Sequence, residues 1–373
     1  MKWNDSGSGN VKSLLEDAIR ARIGSGMAAA WGSFDDLGSV HRMYLGRESH
    51  FGDSVVCPRT VFDLASLTKI LATTSLYMKW HDRGLIDLES GFPGKAFTFR
   101  QLLNHASGLP AWKPYYERMI THFVGANAVK EPGSAVGANR VLNISDSASA
   151  GLSAISIAER QAYFDALILA ENPVAKPGEK IIYSDIGFSL LMIHAERVSG
   201  MSFDELISRC VWSDIQDCGL HYRPLIQSGS VRTGIAATEW CAWRGLLQGD
   251  VHDDNAWSRG GVGGHAGVFG SLDDVIRWMD SLVSGKLVSF NTLREFSMPF
   301  IDTSGARRGL GFDYSSHSAH SIATIGHLGF TGTSLWIDLD RGRFAILLTN
   351  RVHPSREDTR IRDLRQAFHQ SVG

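Results

Sequence analysis

The spacing of apolar residues predicts a helix and two strands at the start of the chain. An amphipathic pattern over residues 10–23 predicts the helix, and apolar runs at 26–30 and 41–45 predict the strands. A second amphipathic helix is predicted to begin near Asp63 as its N-cap and to end before Gly84.

The rest of the chain changes from a helical to a strand pattern. Residues 84–250 are mostly helical in pattern, except for a stretch at 124–153 that is rich in Gly, Ala, Ser and Asn and predicts a loop or lid. Four late segments predict strands, and a last helix is predicted over 357–369: the strand segments are 309–314, 322–327, 333–338 and 343–350. Strands at both ends with helices between them predict an α/β (α+β) fold, with a sheet built from both termini and an all-helical insertion.

Composition and charge exclude several classes of protein. Of 373 residues, 43% are hydrophobic and 20% are charged, which suits two packed domains or one domain with a large insertion. The formal net charge is −2, and the densest basic stretch, 356–365, alternates with acids as a solvated helix face would. We therefore predict a small-molecule or peptide substrate and no nucleic-acid partner. The apolar runs are too short to span a bilayer, so no membrane partner is predicted, and the oligomeric state stays open.

The N-terminal pattern and the spacing of Cys, His and Asp residues predict the location and the metal content of the protein. No apolar stretch of signal-peptide length follows Lys2, so we expect a cytoplasmic protein, or a periplasmic or secreted one if a signal has been removed. Four irregularly spaced cysteines predict reduced thiols. The group of His252, Asp253, Asp254 and His265 matches no standard zinc spacing and is better interpreted as a loop that lines a cleft, so we predict no metal and no cofactor.

Ser66-Leu67-Thr68-Lys69 is the first candidate for chemistry. A spacing of three places Ser66 and Lys69 on one helical face, near a helix N-terminus that favours a developing oxyanion. A serine hydroxyl alone is a poor nucleophile, so a neutral amine or a phenolate must take its proton. In a chain rich in serine this motif also arises by chance, so it needs support from elsewhere.

Two later stretches could supply that support. Tyr183 and Asp185 lie in a turn before a predicted helix, where they offer a general base and a group that orients Lys69. Residues 327–333 join two strands, and a backbone N–H there could complete an oxyanion hole, although a Gly-rich bend is the simpler interpretation. Trp112, with Tyr115 and Tyr116, is either an aromatic wall of a pocket or ordinary core.

Together and in this order, the three motifs resemble those of the serine β-lactamase and penicillin-binding-protein superfamily. The class C-like branch, with its esterases and D-aminopeptidases, is the most similar. The family pattern is S-x-x-K, Y-x-N and K-T-G or H-x-G, which here reads Ser66 to Lys69, Tyr183 to Asp185 and His327 to Gly329. Three further stretches look familiar: 102–109, 264–271 and 347–351.

The resemblance implies a β-lactamase/transpeptidase-like fold, with an antiparallel sheet flanked by helices and an all-helical domain. Residues 1–65 and 258–373 would form the sheet domain and 66–257 the helical domain, with the active site in the cleft between them. Ser66 would be the nucleophile, and Lys69 and Tyr183 would share the proton transfer.

The resemblance also implies how a substrate is held. The backbone amides of Ser66 and Phe330 would form the oxyanion hole. Further substrate-binding residues are predicted around the same motifs: Gly329, Thr331, Trp112, Asn350 and Arg351.

Two residues depart from the family pattern. His327 stands where penicillin recognisers often carry Lys, so a permanent cation is replaced by a group that titrates near neutrality. This weakens the binding of a substrate carboxylate, and Arg351 is a candidate to replace part of that interaction. Asp185 stands where Asn is usual, and its charge should favour protonated Lys69 and repel an anionic substrate. Asp185 also raises the pKa of Tyr183, so both Lys69 and Tyr183 remain candidates for the base.

The sequence therefore predicts a serine hydrolase that forms an acyl-enzyme on Ser66 and hydrolyses an ester or amide bond. An esterase, a D-amino-acid peptidase and a muropeptide amidase all fit, and the departures favour a neutral ester or a substrate with a free amine. One alternative is a true β-lactamase or DD-carboxypeptidase. A second is a non-catalytic cell-wall peptide binder, although a binder has no need of an activated serine.

Overall fold

Strands from both ends of the chain meet in one sheet. A computed structural model describes residues 6–130, 143–227, 232–315 and 320–372. The strands within these residues are β1 (Gly26–Ser33), β2 (His41–Gly46), β3 (Phe62–Asp63), β4 (Val129–Lys130), β5 (Asn143–Ile144), β6 (His221–Tyr222), β7 (Trp240–Cys241), β8 (Gly245–Leu246), β9 (Val268–Gly270), β10 (Phe300–Ile301), β11 (Arg307–Arg308), β12 (Asp313–Tyr314), β13 (Thr324–Leu328), β14 (Ser334–Asp338) and β15 (Arg343–Thr349). Six of them form an antiparallel sheet in the order β12-β13-β14-β15-β1-β2.

Helices cover both faces of this sheet and fill the middle of the chain. They are α1 (Ser6–Arg20), α2 (Ser75–Asp82), α3 (Phe99–Leu103), α4 (Tyr115–Phe123), α5 (Asp146–Ser153), α6 (Ile157–Leu169), α7 (Asp185–Ser199), α8 (Phe203–Cys210), α9 (Pro224–Gln227), α10 (Asp254–Arg259), α11 (Leu272–Val283), α12 (Phe290–Phe296) and α13 (Ile361–Val372). The predicted antiparallel sheet with flanking helices is confirmed. The division into domains at residues 65 and 258 stays a prediction.

Alternation along β1 builds two cores. Met27, Ala29 and Trp31 face the first core, where α1 and α13 pack, whereas Ala28 and Ala30 face the large core that holds the central helices. Successive side chains of a strand point to opposite faces, so a strand that is apolar at every position must be covered on both sides.

The predicted helix start at Asp63 is wrong. Asp63 ends β3, residues 65–67 form a 3-10 turn, and residues 69–74 are wound as a π-helix before α2 begins. The Asp63 carboxylate accepts hydrogen bonds from the backbone N–H groups of Ala65 and His252, so it fixes a turn instead of capping a helix.

Two further predictions about the middle of the chain need correction. The stretch 124–153 is not one loop, because residues 146–153 form α5 and β4 pairs with β5; residues 131–142 lie outside the described residues. The helical pattern also ends before residue 250. Beyond α8 the chain forms short elements, among them β6, which pairs with the distant β9.

All four cysteines are free thiols. No helix within the described residues is long and apolar enough to cross a membrane.

Candidate active site

Three distant segments of the chain line one cavity of about 580 Å³. Ser66 comes from the 3-10 turn after β3, Tyr183 and Asp185 come from the start of α7, and His327 lies on β13. The three predicted motifs are therefore brought together, although more than a hundred residues separate each from the next in sequence.

Buried Lys69 joins two of the candidate groups. Its Nζ lies 3.1 Å from Ser66 Oγ and 2.6 Å from Asp185 Oδ1, and it also donates to the carbonyl of His265 at 3.3 Å. The same Nζ lies 4.7 Å from the centre of the Tyr183 ring. Because the Lys69 side chain is fully buried, its charge depends on Asp185 for compensation.

Local structure holds Ser66 in place. Ala65, immediately before it, has a φ of +47°, a left-handed conformation that is rare for a residue with a Cβ. At the other side of the site, the hydroxyl of Ser184 caps α7 by accepting from the N–H of Gly187, so Tyr183 lies just before the helix and Asp185 is its first residue.

The Tyr183 ring is enclosed by histidine rings and cations. The ring centres of His105 and His327 lie 4.6 Å and 5.7 Å from that of Tyr183, and the Arg308 guanidinium lies 5.2 Å from it. His105 also accepts a hydrogen bond from the N–H of Ser184 at its Nδ1, which fixes the turn that presents the tyrosine.

Opposing effects set the protonation of Lys69 and Tyr183. Burial is the largest single effect and lowers the pKa of Lys69, but the charges and hydrogen bonds of Asp185 and Tyr183 together outweigh it, so the pKa lies above its ordinary value. Burial raises the pKa of Tyr183, and Asp185 adds to this against the opposing charge of Lys69. At neutral pH the resting site therefore holds a lysine ammonium, a carboxylate and a neutral phenol.

The prediction that His327 titrates near neutrality is wrong. Burial, together with the charges of Lys69 and Arg308, holds the pKa of this imidazole well below its ordinary value. Its Nδ1 lies 2.7 Å from the carbonyl oxygen of Leu328. A carbonyl oxygen can only accept, so Nδ1 carries the proton and Nε2 is left as an acceptor. His327 is thus a neutral group and not a cation.

Phe330, one of the two predicted oxyanion-hole residues, is held at the mouth of the cavity. Its ring lies between the imidazole of His252, at 5.4 Å, and the guanidinium of Arg351, at 4.4 Å. Arg351 Nε also donates to the Phe330 carbonyl at 2.8 Å. The guanidinium of Arg351 therefore supports Phe330. Its Nη1 also donates hydrogen bonds to the backbone carbonyls of Arg356 and Asp358.

Apolar side chains surround the opening beside Phe330. Trp112, Leu328 and Phe330 line the cavity and are 47%, 37% and 52% exposed. Trp112 therefore stands in the predicted wall, whereas Tyr115 and Tyr116 belong to the core.

Two predicted substrate-binding residues, Thr331 and Asn350, are absent from the cavity lining and make structural hydrogen bonds. Thr331 is fully buried and donates its hydroxyl to the backbone oxygen of Asp63. Asn350 is also buried, and its amide accepts from the N–H groups of Ser25 and Gly26 and donates to the Ala237 carbonyl, so it ties β1 to neighbouring segments.

Gly329 lines the cavity but is required by packing. A Cβ at this position would come within 2.0 Å of Thr333 Oγ1 and 2.9 Å of the Leu64 carbonyl oxygen. The absent side chain thus lets β13 approach the segment that carries Ser66, and the approach of a substrate backbone at Gly329 stays a prediction.

Sequence reasoning named Arg351 but gave no role to the other arginines of the cavity. Arg308 lines it, with Nη2 3.3 Å from Asp313 Oδ2, and its buried Nη1 has no hydrogen-bond partner among the residues that the structure describes. Arg356 pairs with Glu239, and Arg365 donates to the carbonyls of Gly329, Gly332 and Thr333, so the basic stretch 356–365 is not merely a solvated helix face. Arg308 belongs to no motif; only its place in β11, next to the sheet edge, brings it to the site.

His252, Asp253 and Asp254 line the cavity, as the sequence suggested for this loop. His252 Nε2 lies 3.0 Å from a Glu239 carboxylate oxygen, and His265 Nε2 lies 3.1 Å from an Asp253 carboxylate oxygen, so a carboxylate fixes the position of each imidazole.

The chain is similar to known proteins in both sequence and fold. The family model described as Beta-lactamase matches residues 19–369. The chain is 25% identical to a putative D-alanyl-D-alanine carboxypeptidase of Escherichia coli O157:H7, over 84% of this chain and 76% of that protein. It is 26% identical to a protein of the same description from Salmonella schwarzengrund, over 79% and 70% of the two chains.

Solved structures show the same fold at lower identity. Simvastatin synthase (LovD) from Aspergillus terreus superposes with a TM-score of 0.70 at 16% identity, covering 98% of each chain. An octameric penicillin-binding protein homologue from Pyrococcus abyssi superposes with a TM-score of 0.66 at 19% identity, covering 92% of this chain and 73% of that one.

The protonation of His327 is directly testable. We expect nitrogen-15 NMR to show it as the neutral Nδ1–H tautomer throughout the window of about pH 5 to 8 in which an unperturbed histidine changes charge. Loss of the signal in H327Q would assign it. A change of charge of this residue within that window would contradict the structure.

Proposed function

We propose that this chain, which belongs to the Beta-lactamase family, hydrolyses an ester or amide bond through an acyl-enzyme formed on Ser66. The family and the carboxypeptidase relatives support a serine hydrolase of the β-lactamase and penicillin-binding-protein superfamily. The observation that carries the finer proposal is the 3.1 Å contact between Ser66 Oγ and Lys69 Nζ at a cavity that Tyr183 also lines.

Lys69 and Tyr183 act in this proposal as one base. They interact strongly and both are buried, so a proton lost from either belongs to the pair. Once the pair has lost one proton, it accepts the proton of Ser66 as Oγ attacks the substrate carbonyl carbon. Collapse of the tetrahedral intermediate breaks the bond to the leaving group, which takes a proton from the pair.

Water completes the cycle. It attacks the acyl carbonyl, gives a proton to the same pair, and Ser66 recovers its hydrogen as the acid product leaves. The backbone N–H groups of Ser66 and Phe330 would stabilise the oxyanion in both steps. Neutral His327 lines the same cavity and adds no positive charge to it.

The acyl-enzyme is tested by intact-protein mass spectrometry. We expect wild type to gain the mass of one acyl group after brief exposure to a p-nitrophenyl ester or a slowly hydrolysed donor, and S66A to gain none. S39A, which removes an exposed serine outside the cavity, serves as the matched control and should behave as wild type.

An adduct that persists in S66A would contradict the assignment of the nucleophile. Binding of a D-alanyl peptide without any turnover or adduct in wild type would favour the non-catalytic binder instead.

The pH dependence should report Asp185. Since its charge raises the pKa of both Lys69 and Tyr183, the active pair with one proton removed should become more abundant as pH rises. In D185N that charge is gone, so the acid limb of kcat/KM should move to lower pH by about 1 unit or more.

D313N is the control for this experiment, because it removes a carboxylate of the same cavity that pairs with Arg308 and not with Lys69. An acid limb at the same pH in D185N and wild type would rule out coupling between Asp185 and the base.

A DD-carboxypeptidase is the second candidate, and Arg308 is the observation that favours it. Asp185 is engaged by Lys69, and Arg308 brings to the cavity a cation whose buried Nη1 has no hydrogen-bond partner within the described part of the chain. An anionic substrate is therefore less disfavoured than the sequence suggested, and a peptide carboxylate could meet Arg308. The curated relatives carry the name of this activity.

Substitution of Arg308 separates the two candidates. If the substrate carries a carboxylate, R308Q should raise KM for a D-alanyl-D-alanine peptide by about 10-fold or more, the effect of losing a charge-assisted hydrogen bond, and leave KM for a neutral ester unchanged. R362Q, at an exposed arginine of the same cavity, is the control. Equal effects of R308Q on both substrates would argue against carboxylate recognition.

A further inference from the structure

We propose that Asp63 is a positioning residue that holds the two backbone amides of the oxyanion hole at a fixed separation. The inference rests on the proposed function, and it concerns a residue that does not line the cavity. Asp63 is 2% exposed and lies at the end of β3, three residues before Ser66.

The first contact of Asp63 is with the segment that carries the nucleophile. Its Oδ1 accepts a hydrogen bond of 2.8 Å from the backbone N–H of Ala65, the residue before Ser66. Ala65 has the left-handed φ of +47°, which persists only where the surroundings enforce it. The hydrogen bond to the Asp63 carboxylate is well placed to enforce this φ, and the φ of Ala65 in turn sets the direction of the Ser66 N–H.

The second and third contacts are with the segments around Phe330. Asp63 Oδ2 accepts a 2.7 Å hydrogen bond from the N–H of His252, whose imidazole stacks on the Phe330 ring. The backbone oxygen of Asp63 accepts a 2.8 Å hydrogen bond from the hydroxyl of Thr331, which follows Phe330 in the chain.

Through these hydrogen bonds Asp63 connects two parts of the chain that are far apart in sequence. One oxygen acts on the residue before Ser66, and two others act on the supports of Phe330. Burial raises the pKa of the Asp63 carboxyl, while the N–H groups of His252 and Ala65 oppose that rise, so the same bonds that position the amides also stabilise the charged form.

The kinetic consequence is specific. Oxyanion amides act on charge that develops in the transition state, so a shift of a few tenths of an ångström between them should reduce kcat and leave ground-state binding unchanged. A residue that only stabilised the fold would lower the amount of active enzyme without weakening the binding of a transition-state mimic to the folded fraction.

The test compares D63N with a matched buried aspartate. Asparagine keeps one acceptor oxygen, but its amide nitrogen cannot accept from the second backbone N–H. In D63N we expect kcat for a p-nitrophenyl ester to fall by about 100-fold, the effect of losing one oxyanion donor, with KM within about twofold. Phenylboronic acid, which places an oxygen in the oxyanion hole, should bind more weakly by a similar factor.

D274N is the control. Asp274 is also buried, accepts from the N–H groups of Gly219 and Ser271, and caps α11 away from the cavity. D274N should lower the melting temperature and leave kcat and boronate affinity per folded molecule unchanged. If D63N does not fold, T331V is measured in its place. This substitution removes only the hydrogen bond from the Thr331 hydroxyl to the Asp63 backbone oxygen, and it should reduce kcat while leaving KM unchanged.

Each outcome separates this inference from the proposed function. Suppose that S66A is inactive and that folded D63N keeps the kcat and boronate affinity of wild type. That result would overturn the role of Asp63 and leave the acyl-enzyme proposal intact. If D63N does not fold, the same result in T331V would have the same meaning. Turnover in S66A equal to wild type would overturn both.

Discussion

The ion pair between Lys69 and Asp185 is the interaction on which the rest of the site depends. A fully buried ammonium is expensive unless an opposite charge compensates it. Here one carboxylate oxygen lies 2.6 Å from Nζ, and the pair fixes Lys69 beside Ser66. Loss of either partner would leave the other charge uncompensated, so the ion pair couples the stability of the cavity to the protonation of Lys69.

This pairing changes the electrostatics expected for the cavity. A free carboxylate at position 185 would repel an anionic substrate, but a carboxylate engaged by Lys69 presents little net charge. His327 is neutral, so the positive charge near Tyr183 comes from Lys69 and Arg308. The cavity thus combines an apolar rim at Trp112, Leu328 and Phe330 with a cation deeper in the site.

Much of this arrangement could be predicted from sequence because the local patterns are strong. Apolar periodicity identified α1, the sheet strands from both ends and α13, and the order of three short motifs indicated which residues meet at the cavity. Asn350 and Thr331 show the limit of that reasoning. Both lie beside familiar motifs, but burial and backbone hydrogen bonds give them structural roles, and neither property can be seen in a motif.

Arg308 and Asp63 could not be identified from sequence for a related physical reason. Their positions depend on pairing between distant segments, β11 beside the sheet edge in one case and β3 against residues 252 and 331 in the other. The pKa of His327 is likewise set by burial and two cations that the motif does not contain.

The proposed nucleophile and oxyanion hole are tested most directly by a crystal structure of the protein with phenylboronic acid. We expect a covalent bond from boron to Ser66 Oγ and one boronate oxygen within hydrogen-bond distance of the N–H groups of both Ser66 and Phe330. Boron bound to another residue, or an oxygen that meets neither amide, would contradict both the nucleophile and the oxyanion hole.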